Sequence, residues 1–325
     1  MRIAFIGSGG IARQHAKGLM GRADVQCVGA YDVMAERAQA FAADHGGAAY
    51  TALGDLLDTA RPDAAWVCLP PFAHGEAELA LLARRIPFLV EKPISNSLDV
   101  ARRILDEVQR TGTLVAAGYM NRYRRGVQRL RELLASDPPV LLHAAWAGGT
   151  PGVSWWRVKA QSGGQIVEQT THLFDVARYL AGEPERVCAV GARGFVGDMP
   201  GYDVDDASAV AVQFASGAVG SLMSCCANRA GVGGVYLSVM ATHLAAQMTG
   251  WELNTTIDKS RFEHEQITGE PDIFAIEDAA FLRAVQSGDP QWVRSPYADA
   301  IKTLAFCLAA DQAVATGLPV TVASL

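Results

Sequence analysis

One feature at the start of the chain constrains its fold more than any other. Arg2-Ile3-Ala4-Phe5-Ile6 reads as a short apolar strand, and Gly7-Ser8-Gly9-Gly10-Ile11-Ala12 follows it directly. A helical stretch then runs to about residue 20. The pattern is G-x-G-x-x-A. Gly7 permits a tight turn, Gly9 lets a pyrophosphate approach the backbone, and Ala12 lets helix and strand pack closely. The N–H groups of the helix's first turn, around Gly10 and Ile11, suit phosphate oxygens. Glycine turns are common, and the position of this one between a strand and a helix gives it the meaning of a dinucleotide site.

The residues that follow extend the same reading. Residues 25–31 form a second strand, and Asp32 ends it, about twenty residues past the glycines, where a ribose-binding acid belongs. A carboxylate there repels a 2′-phosphate, and Val33 and Met34 offer no cation, so NAD is favoured over NADP. The other role open to Asp32 is to cap the helix over residues 35–45. Residues 64–69 are a third, buried strand. Pro70-Pro71-Phe72-Ala73-His74 then sets a rigid turn under the nicotinamide end of the cofactor. His74 either touches the cofactor or caps the turn before a helix over residues 75–85.

The next strand, residues 86–90, leads into Phe88-Leu89-Val90-Glu91-Lys92-Pro93. An apolar run without alternation suits a strand covered on both faces. In an open α/β sheet, ligands bind beyond the carboxyl ends of the strands. Glu91 and Lys92 therefore stand at the ligand crevice, beside a backbone stiffened by Pro93. Taken alone, such a lysine is a solvated charge. A helix over residues 96–110, N-capped by Ser95 or Ser97, precedes a strand over residues 114–118. That strand ends in Tyr119-Met120-Asn121-Arg122-Tyr123, where Tyr119, Asn121 and Arg122 are candidate substrate contacts. The alternation of strands and helices is that of a doubly wound parallel sheet closing near residue 120.

At 325 residues the chain is long for one core. Two domains are expected, residues 1–120 and 121–325, with the last helix able to pack back toward the first. The charge, 28 minus 34 or −6, gives no basic footprint for nucleic acid or an anionic membrane. The apolar runs are too short and interrupted to span a bilayer. Met1 leads straight into a strand, which leaves no room for a leader. The six cysteines lack any C-x-x-C and read as buried, reduced thiols of a cytoplasmic protein. No histidine and cysteine spacing points to a metal.

After residue 131 the rhythm changes. Residues 140–146, 186–196, 208–214, 218–225, 235–240, 245–248, 252–257 and 261–267 read as strands, several of alternating polarity. They predict one largely antiparallel sheet with one face open or covered by a partner, a surface suited to a homodimer or homotetramer. Ser162-Gly163-Gly164-Gln165 resembles a capping box, opening a helix that ends at residue 181 before Gly182 and Pro184. Ile166, Leu173, Ala177 and Leu180 form its apolar stripe. Glu168 and His172 are four apart and share another face, from which an acid and an imidazole can reach one substrate hydroxyl. A surface ion pair is the alternative. Asp175 is expected to make a structural hydrogen bond. Trp155-Trp156-Arg157 offers rings to stack on a sugar's apolar face and a cation for hydroxyls or a carboxylate, or else plain packing. Helices over residues 273–287 and 296–316 and a short strand at 320–322 finish the chain.

Over nearly its whole length, the sequence resembles the Gfo/Idh/MocA family of nicotinamide-dependent oxidoreductases. The resemblance is carried by G-x-G-x-x-A at Gly7 to Ala12, by the segment from Pro70 to His74, and by Glu91-Lys92-Pro93 at the fourth-strand position. The glycine pair before Glu168-x-x-x-His172 and the Gly317-x-x-Val320 ending complete it. It implies a Rossmann domain and a predominantly antiparallel α/β domain, with substrate held between them. It also implies reversible hydride transfer at a hydroxyl-bearing carbon of a sugar, inositol or related polyol. The family's catalytic lysine falls on Lys92 and its acid/base histidine on His172. Its substrate-binding aspartate falls on Glu168, a departure that adds a methylene and bears on the substrate's pose. Hydride leaves carbon only as the hydroxyl loses its proton, so a base must lie within reach. Lys92 is expected to contact the reacting oxygen while His172 shares or relays the proton, with Glu168 orienting the histidine or holding a neighbouring hydroxyl. Two other functions fit the same residues. One is an NAD-dependent, redox-assisted glycosidase, which releases sugar without net NADH. The other is a non-catalytic NAD-sensing or partner-binding protein.

Overall fold

Residues 1–197 and 199–325 are described by a computed structural model. The first sheet is made of β1 (Arg2–Ile6), β2 (Gln26–Tyr31), β3 (Ala48–Tyr50), β4 (Ala64–Val67), β5 (Phe88–Val90) and β6 (Val115–Ala117). Their order is β3-β2-β1-β4-β5-β6, and every pair is parallel. The helices between them are α1 (Gly10–Leu19), α2 (Ala35–His45), α3 (Leu53–Asp55, running into a π-turn at Leu56–Ala60), α4 (Glu76–Ala83) and α5 (Leu98–Thr111). β4 and β5 are buried at every residue, as strands covered on both faces must be. Ser97 caps α5 by accepting from the Val100 N–H. The order reverses between β1 and β4, which makes that edge the ligand crevice of a doubly wound sheet.

Two sequence expectations need correcting here. The strand β3 was not anticipated, because Ala48–Tyr50 is short and mostly exposed at the sheet's edge and carries no apolar run. Glu91-Lys92-Pro93 consequently follows the fifth strand, not the fourth. The expected boundary between residues 120 and 121 is kept, but a later segment expected in the second domain joins the first. One compact unit comprises Met1–Met120 with Asp272–Ala300, and the other comprises Asn121–Pro271 with Ile301–Leu325. The returning segment completes the first core, where Phe281, Leu282 and Ala284 pack with Phe5, Phe41 and Trp66. Trp66 and Phe281 meet edge to face at 5.3 Å. A side chain at Gly18 would crowd the Ala275 methyl at 3.1 Å, so glycine lets the two backbones come close.

The second unit begins with α6 (Arg125–Leu134), which buries Gly126, Val127, Leu130 and Leu134. Its sheet holds β7 (Pro139–Ala147), and then come α7 (Lys159–Ser162), α8 (Gly164–Glu168) and α9 (Thr171–Ala181). The strands β8 (Pro184–Ala192), β9 (Ala207–Phe214), β10 (Val219–Cys225), β11 (Gly234–Ala241), β12 (Ala245–Thr249), β13 (Asn254–Asp258) and β14 (His264–Ile267) follow. After α10 (Ile273–Ser287) and α11 (Tyr297–Thr316), β15 (Val320–Thr321) closes the edge. The order is β14-β13-β12-β11-β7-β10-β9-β8-β15, antiparallel except for β7 beside β10.

β9 alternates between buried and exposed residues, so one face is packed and the other is bare. Across the bare face, Val190, Ala209 and Met223 share one register row, and Leu141, Val219 and Met240 share another. Cys188 pairs with Ala211 on this same face and is exposed, and Cys225 is only partly buried. The expectation that all six thiols are buried therefore fails for these two. Among the described residues, no helix is long and apolar enough to cross a membrane.

The helix expected over residues 165–181 is broken. The N–H groups of Gln169 and Thr170 both donate to the Gln165 carbonyl, at 3.0 and 2.8 Å, which ends α8. The ladder restarts when Leu173 donates to Thr170 at 2.8 Å. The capping box does not form either. Gly163 takes the N-cap position in the left-handed region, and Ser162 Oγ accepts from the Gly164 N–H at 2.9 Å.

Candidate active site

In the first unit, the glycine turn is shaped by close approach. Gly7 has φ +89°, and a Cβ there would lie 2.4 Å from the Cys68 carbonyl oxygen, so no other residue fits. Gly9 is the N-cap of α1, with no side chain capping the helix. A Cβ at Gly9 or Gly10 meets nothing within 4 Å, which leaves open space before the helix's first N–H groups. Ala12 is fully buried and Ile11 partly so. Asp32 follows β2 and is nearly buried. Its Oδ2 accepts from the Ser8 N–H and its Oδ1 from the Met34 N–H, both at 3.0 Å. An ionised carboxylate has room for about four hydrogen bonds, so lone pairs remain for ribose hydroxyls. Val33 and Met34, 80% and 46% exposed, place no cation beside it. The donors, the open cradle and the acid fit NAD.

Pro71–Ala73 forms a short 3-10 turn after β4. His74 Nδ1 bonds Glu78 Oε1 at 2.5 Å, and Glu78 Oε2 accepts from the Gly75 N–H at 2.7 Å. Glu78, not His74, thus caps the helix α4.

At the end of β5, Glu91 and Lys92 part company. Lys92 is partly exposed, and the Lys92–Pro93 peptide is cis. Glu91 is buried. His15 Nε2 donates to its Oε1 at 2.9 Å, and the Lys92 backbone N–H donates to its Oε2 at 3.0 Å. Both Glu91 carboxylate oxygens are thus engaged within the unit, as a cofactor contact would not require. The other ring nitrogen of His15, Nδ1, donates to Asp278 Oδ1 at 2.8 Å, as does Trp66 Nε1 at 2.8 Å. Burial pulls the His15 pKa down, but the Asp278 and Glu91 carboxylates outweigh it and hold it well above the usual imidazole value.

Asp32, Gly7, Pro70 and Lys92 follow β2, β1, β4 and β5, four neighbouring strands. They line one edge across three inter-strand spacings, about 14 Å.

In the second unit, His172 lies in the first turn of α9. Its ring stacks on Trp146, with centroids 5.8 Å apart and planes at 15°. Trp251 meets both rings edge-on, at 6.2 Å from His172 and 5.7 Å from Trp146. Glu168 ends α8 and His172 opens α9, so a helix break separates them and they do not lie along one helix face. Glu168 Oε2 accepts from Trp156 Nε1 at 2.7 Å.

Several expected substrate contacts are corrected. Trp156 is fully buried with Val204 and Cys226, so its ring has no face for a sugar, while Trp155 and Arg157 stay partly exposed. Tyr119 and Asn121 are buried, and Asn121 Oδ1 accepts from Arg124 Nε at 2.7 Å. Arg122 grips Asp175 with two bonds, Nε to Oδ2 at 2.8 Å and Nη2 to Oδ1 at 2.6 Å. Thr303 Oγ1 also donates to Asp175, whose expected structural role is thereby seen. Trp146, Trp251, His15 and Asp278 went unread. Trp146 looks like any aromatic in a strand, and His15 needs its two acidic partners, 76 and 263 residues away, to be recognised.

Comparison with known proteins agrees with this architecture. The oxidoreductase family with an NAD-binding Rossmann fold matches residues 1–119, and the GFO/IDH/MocA C-terminal domain matches residues 127–246. Myo-inositol 2-dehydrogenase of Thermotoga maritima is 30% identical over 232 residues, 68% of this chain and 67% of that protein. D-glucoside 3-dehydrogenase of Escherichia coli is 30% identical over 203 residues, 60% of this chain and 58% of its own length, so that match spans little more than half of the relative. Levoglucosan dehydrogenase, solved in complex with NADH, shares the fold at a TM-score of 0.89 and 17% identity, over the whole of both chains. Two successive domains of one family, and a relative matched at 30% identity over two thirds of its length, place the chain in the GFO/IDH/MocA family of oxidoreductases.

Proposed function

We propose that the protein is an NAD-dependent dehydrogenase acting on a hydroxyl-bearing carbon of a sugar, inositol or related polyol. The alignment of Gly7, Asp32, Pro70 and Lys92 along one edge of four neighbouring strands carries this reading. The names of the inositol and glucoside dehydrogenases among its relatives support the substrate class. NAD supplies the hydride acceptor. The first-turn N–H groups of α1 hold the pyrophosphate, and Asp32 holds the ribose and disfavours a 2′-phosphate. Lys92 donates to the reacting oxygen and stabilises the charge that grows there as hydride departs. His172 takes the hydroxyl proton, the general-base role that an imidazole within hydrogen-bond reach can fill. Glu168, steadied by the Trp156 indole, accepts from a neighbouring hydroxyl. Partly exposed Trp155 and Arg157 serve the rest of the substrate.

The bare face of the second sheet is read as the surface of a homodimer or homotetramer, on the strength of its rows of exposed Val190, Met223, Leu141, Val219 and Met240. The free cysteines fit a reducing, cytoplasmic setting.

The test is a panel of sugars, inositols and their acids, followed by the absorbance of reduced cofactor. On an active substrate, Lys92→Ala is expected to lower kcat by about a hundredfold to ten-thousandfold while NADH still binds. Near-normal turnover in that variant would overturn the reading.

A further inference from the structure

The chemistry above makes no use of the buried path Asp278–His15–Glu91–Lys92. Its members come from three elements. His15 sits on the buried stripe of α1 with Ala12, Ala16 and Leu19. Glu91 ends β5, and Asp278 belongs to α10. The two ring nitrogens of His15 each face a carboxylate oxygen, at 2.8 Å to Asp278 and 2.9 Å to Glu91. Phe274 meets the imidazole edge to face at 5.4 Å. A Cβ at Gly118 would lie 2.8 Å from Glu91 Oε1, so that carboxylate fills its seat with no slack. The last link is the Lys92 N–H on Glu91 Oε2.

A network of this kind is a poor source of stability. Two carboxylates and an imidazole lose their hydration on burial, and apolar side chains of the same volume commonly serve a core equally well. What the network supplies is geometry, because each bond fixes a direction as well as a distance. We propose that His15 is a positioning residue for Lys92. By holding Glu91, it fixes the backbone from which the Lys92 ammonium projects, and it ties that backbone to the helix whose first turn faces the pyrophosphate. The proposal rests on the reading that Lys92 serves the reacting oxygen.

The experiment compares the full-length wild type with His15→Gln and Asp278→Asn. Glutamine is polar and of similar reach, but it donates from one nitrogen only and cannot span both carboxylates. In His15→Gln, kcat is expected to fall about tenfold to a hundredfold, because small misplacements at a reacting centre are costly. KM and NADH affinity should stay within about twofold, a split that general loosening of the fold would not give. A second readout needs no substrate. The lysines of the chain are Lys17, Lys92, Lys159, Lys259 and Lys302, and their labelling by an amine-reactive reagent can be followed by mass spectrometry. Lys92 should react about threefold faster in the variant, with the other lysines unchanged as internal controls. If both kcat and Lys92 labelling match the wild type in folded His15→Gln, the proposal fails. It fails equally if NADH affinity falls with kcat while Lys92 labelling holds, since His15 would then serve the cofactor's seat. Should His15→Gln not fold, Asp278→Asn keeps the His15–Glu91 bond and carries both readouts with a smaller effect. An inactive wild type would overturn the dehydrogenase reading, and the labelling would then decide the link from His15 to Lys92 alone.

Discussion

His15 and His172 are both buried, yet their surroundings are opposites. His15 lies between two carboxylates, and both of its nitrogens are spent on them. His172 lies against the faces and edges of Trp146 and Trp251. A carboxylate stabilises an imidazolium strongly and fixes where its protons point. An aromatic ring orients an imidazole and adds, at most, a modest attraction for its cation. The first environment makes a strut. The second holds a ring in place by the face of one indole and the edge of another. The same side chain is thus set by charges in one unit and by rings in the other, where the proposed function gives it the proton.

The largest expected effect tests that division directly. His172→Asn keeps a polar group of similar size but removes the proposed base. Its kcat should fall about a hundredfold to ten-thousandfold, with NADH affinity unchanged. His15→Gln should cost less turnover than this. A reversed order, with His172→Asn nearly active and His15→Gln dead, would exchange the two roles and break the comparison.

Much of the first unit was legible because its physics is local. β4 and β5 announce themselves as unbroken apolar runs, and α2 and α10 were placed with their observed limits. The alternation along β9 and β10 likewise predicts a sheet with one bare face. The failures have one cause, which is that periodicity says nothing about partners. Residues 165–181 keep a helical period, yet two amides compete for the Gln165 carbonyl and split the helix. Arg122 looks like a ligand contact until Asp175, 53 residues away, claims it. Trp155 and Trp156 look equivalent, but only the structure shows which indole is buried. α6 carries its apolar stripe at Val127, Leu130 and Leu134, but its three arginines and mostly polar face set no local boundary from the strands that follow.

A second, smaller effect separates the histidines by pH. The folded state binds the His15 proton more tightly than the unfolded chain, where an imidazole titrates near 6.5. Burial opposes this, but Asp278 and then Glu91 prevail. The resulting stabilisation is complete below about pH 6.5 and is lost as pH rises toward the folded value, at no more than about 1.4 kcal/mol per pH unit. Urea unfolding should therefore show the stability gap between wild type and His15→Gln narrowing from about pH 6 to about pH 8. That range stays below the ionisation of Cys68, whose thiol is pushed up by burial and then by Glu91 and Asp278. A gap that widened with pH would mean that His15 is neutral in the folded protein.

The smallest effect concerns what the aromatic corner is for. Trp251 is 47% exposed, so its indole is not a core residue, and removing it should change stability by no more than about 0.5 kcal/mol. It nonetheless stands edge-on to both His172 and Trp146. An exposed indole beside His172 suits the C–H face of a sugar or cyclitol ring, and an aromatic contact of that kind contributes about 0.5 to 1.5 kcal/mol. Trp251→Ala should then raise KM for the polyol by about twofold to tenfold and leave kcat unchanged, as expected when binding is lost equally from ground and transition states. Trp146 would still lie flat against the imidazole, so the histidine keeps one of its two walls. If kcat falls while KM holds, Trp251 acts on the histidine and not on the substrate. The second unit's imidazole would then be positioned as firmly as the first, by rings in place of charges.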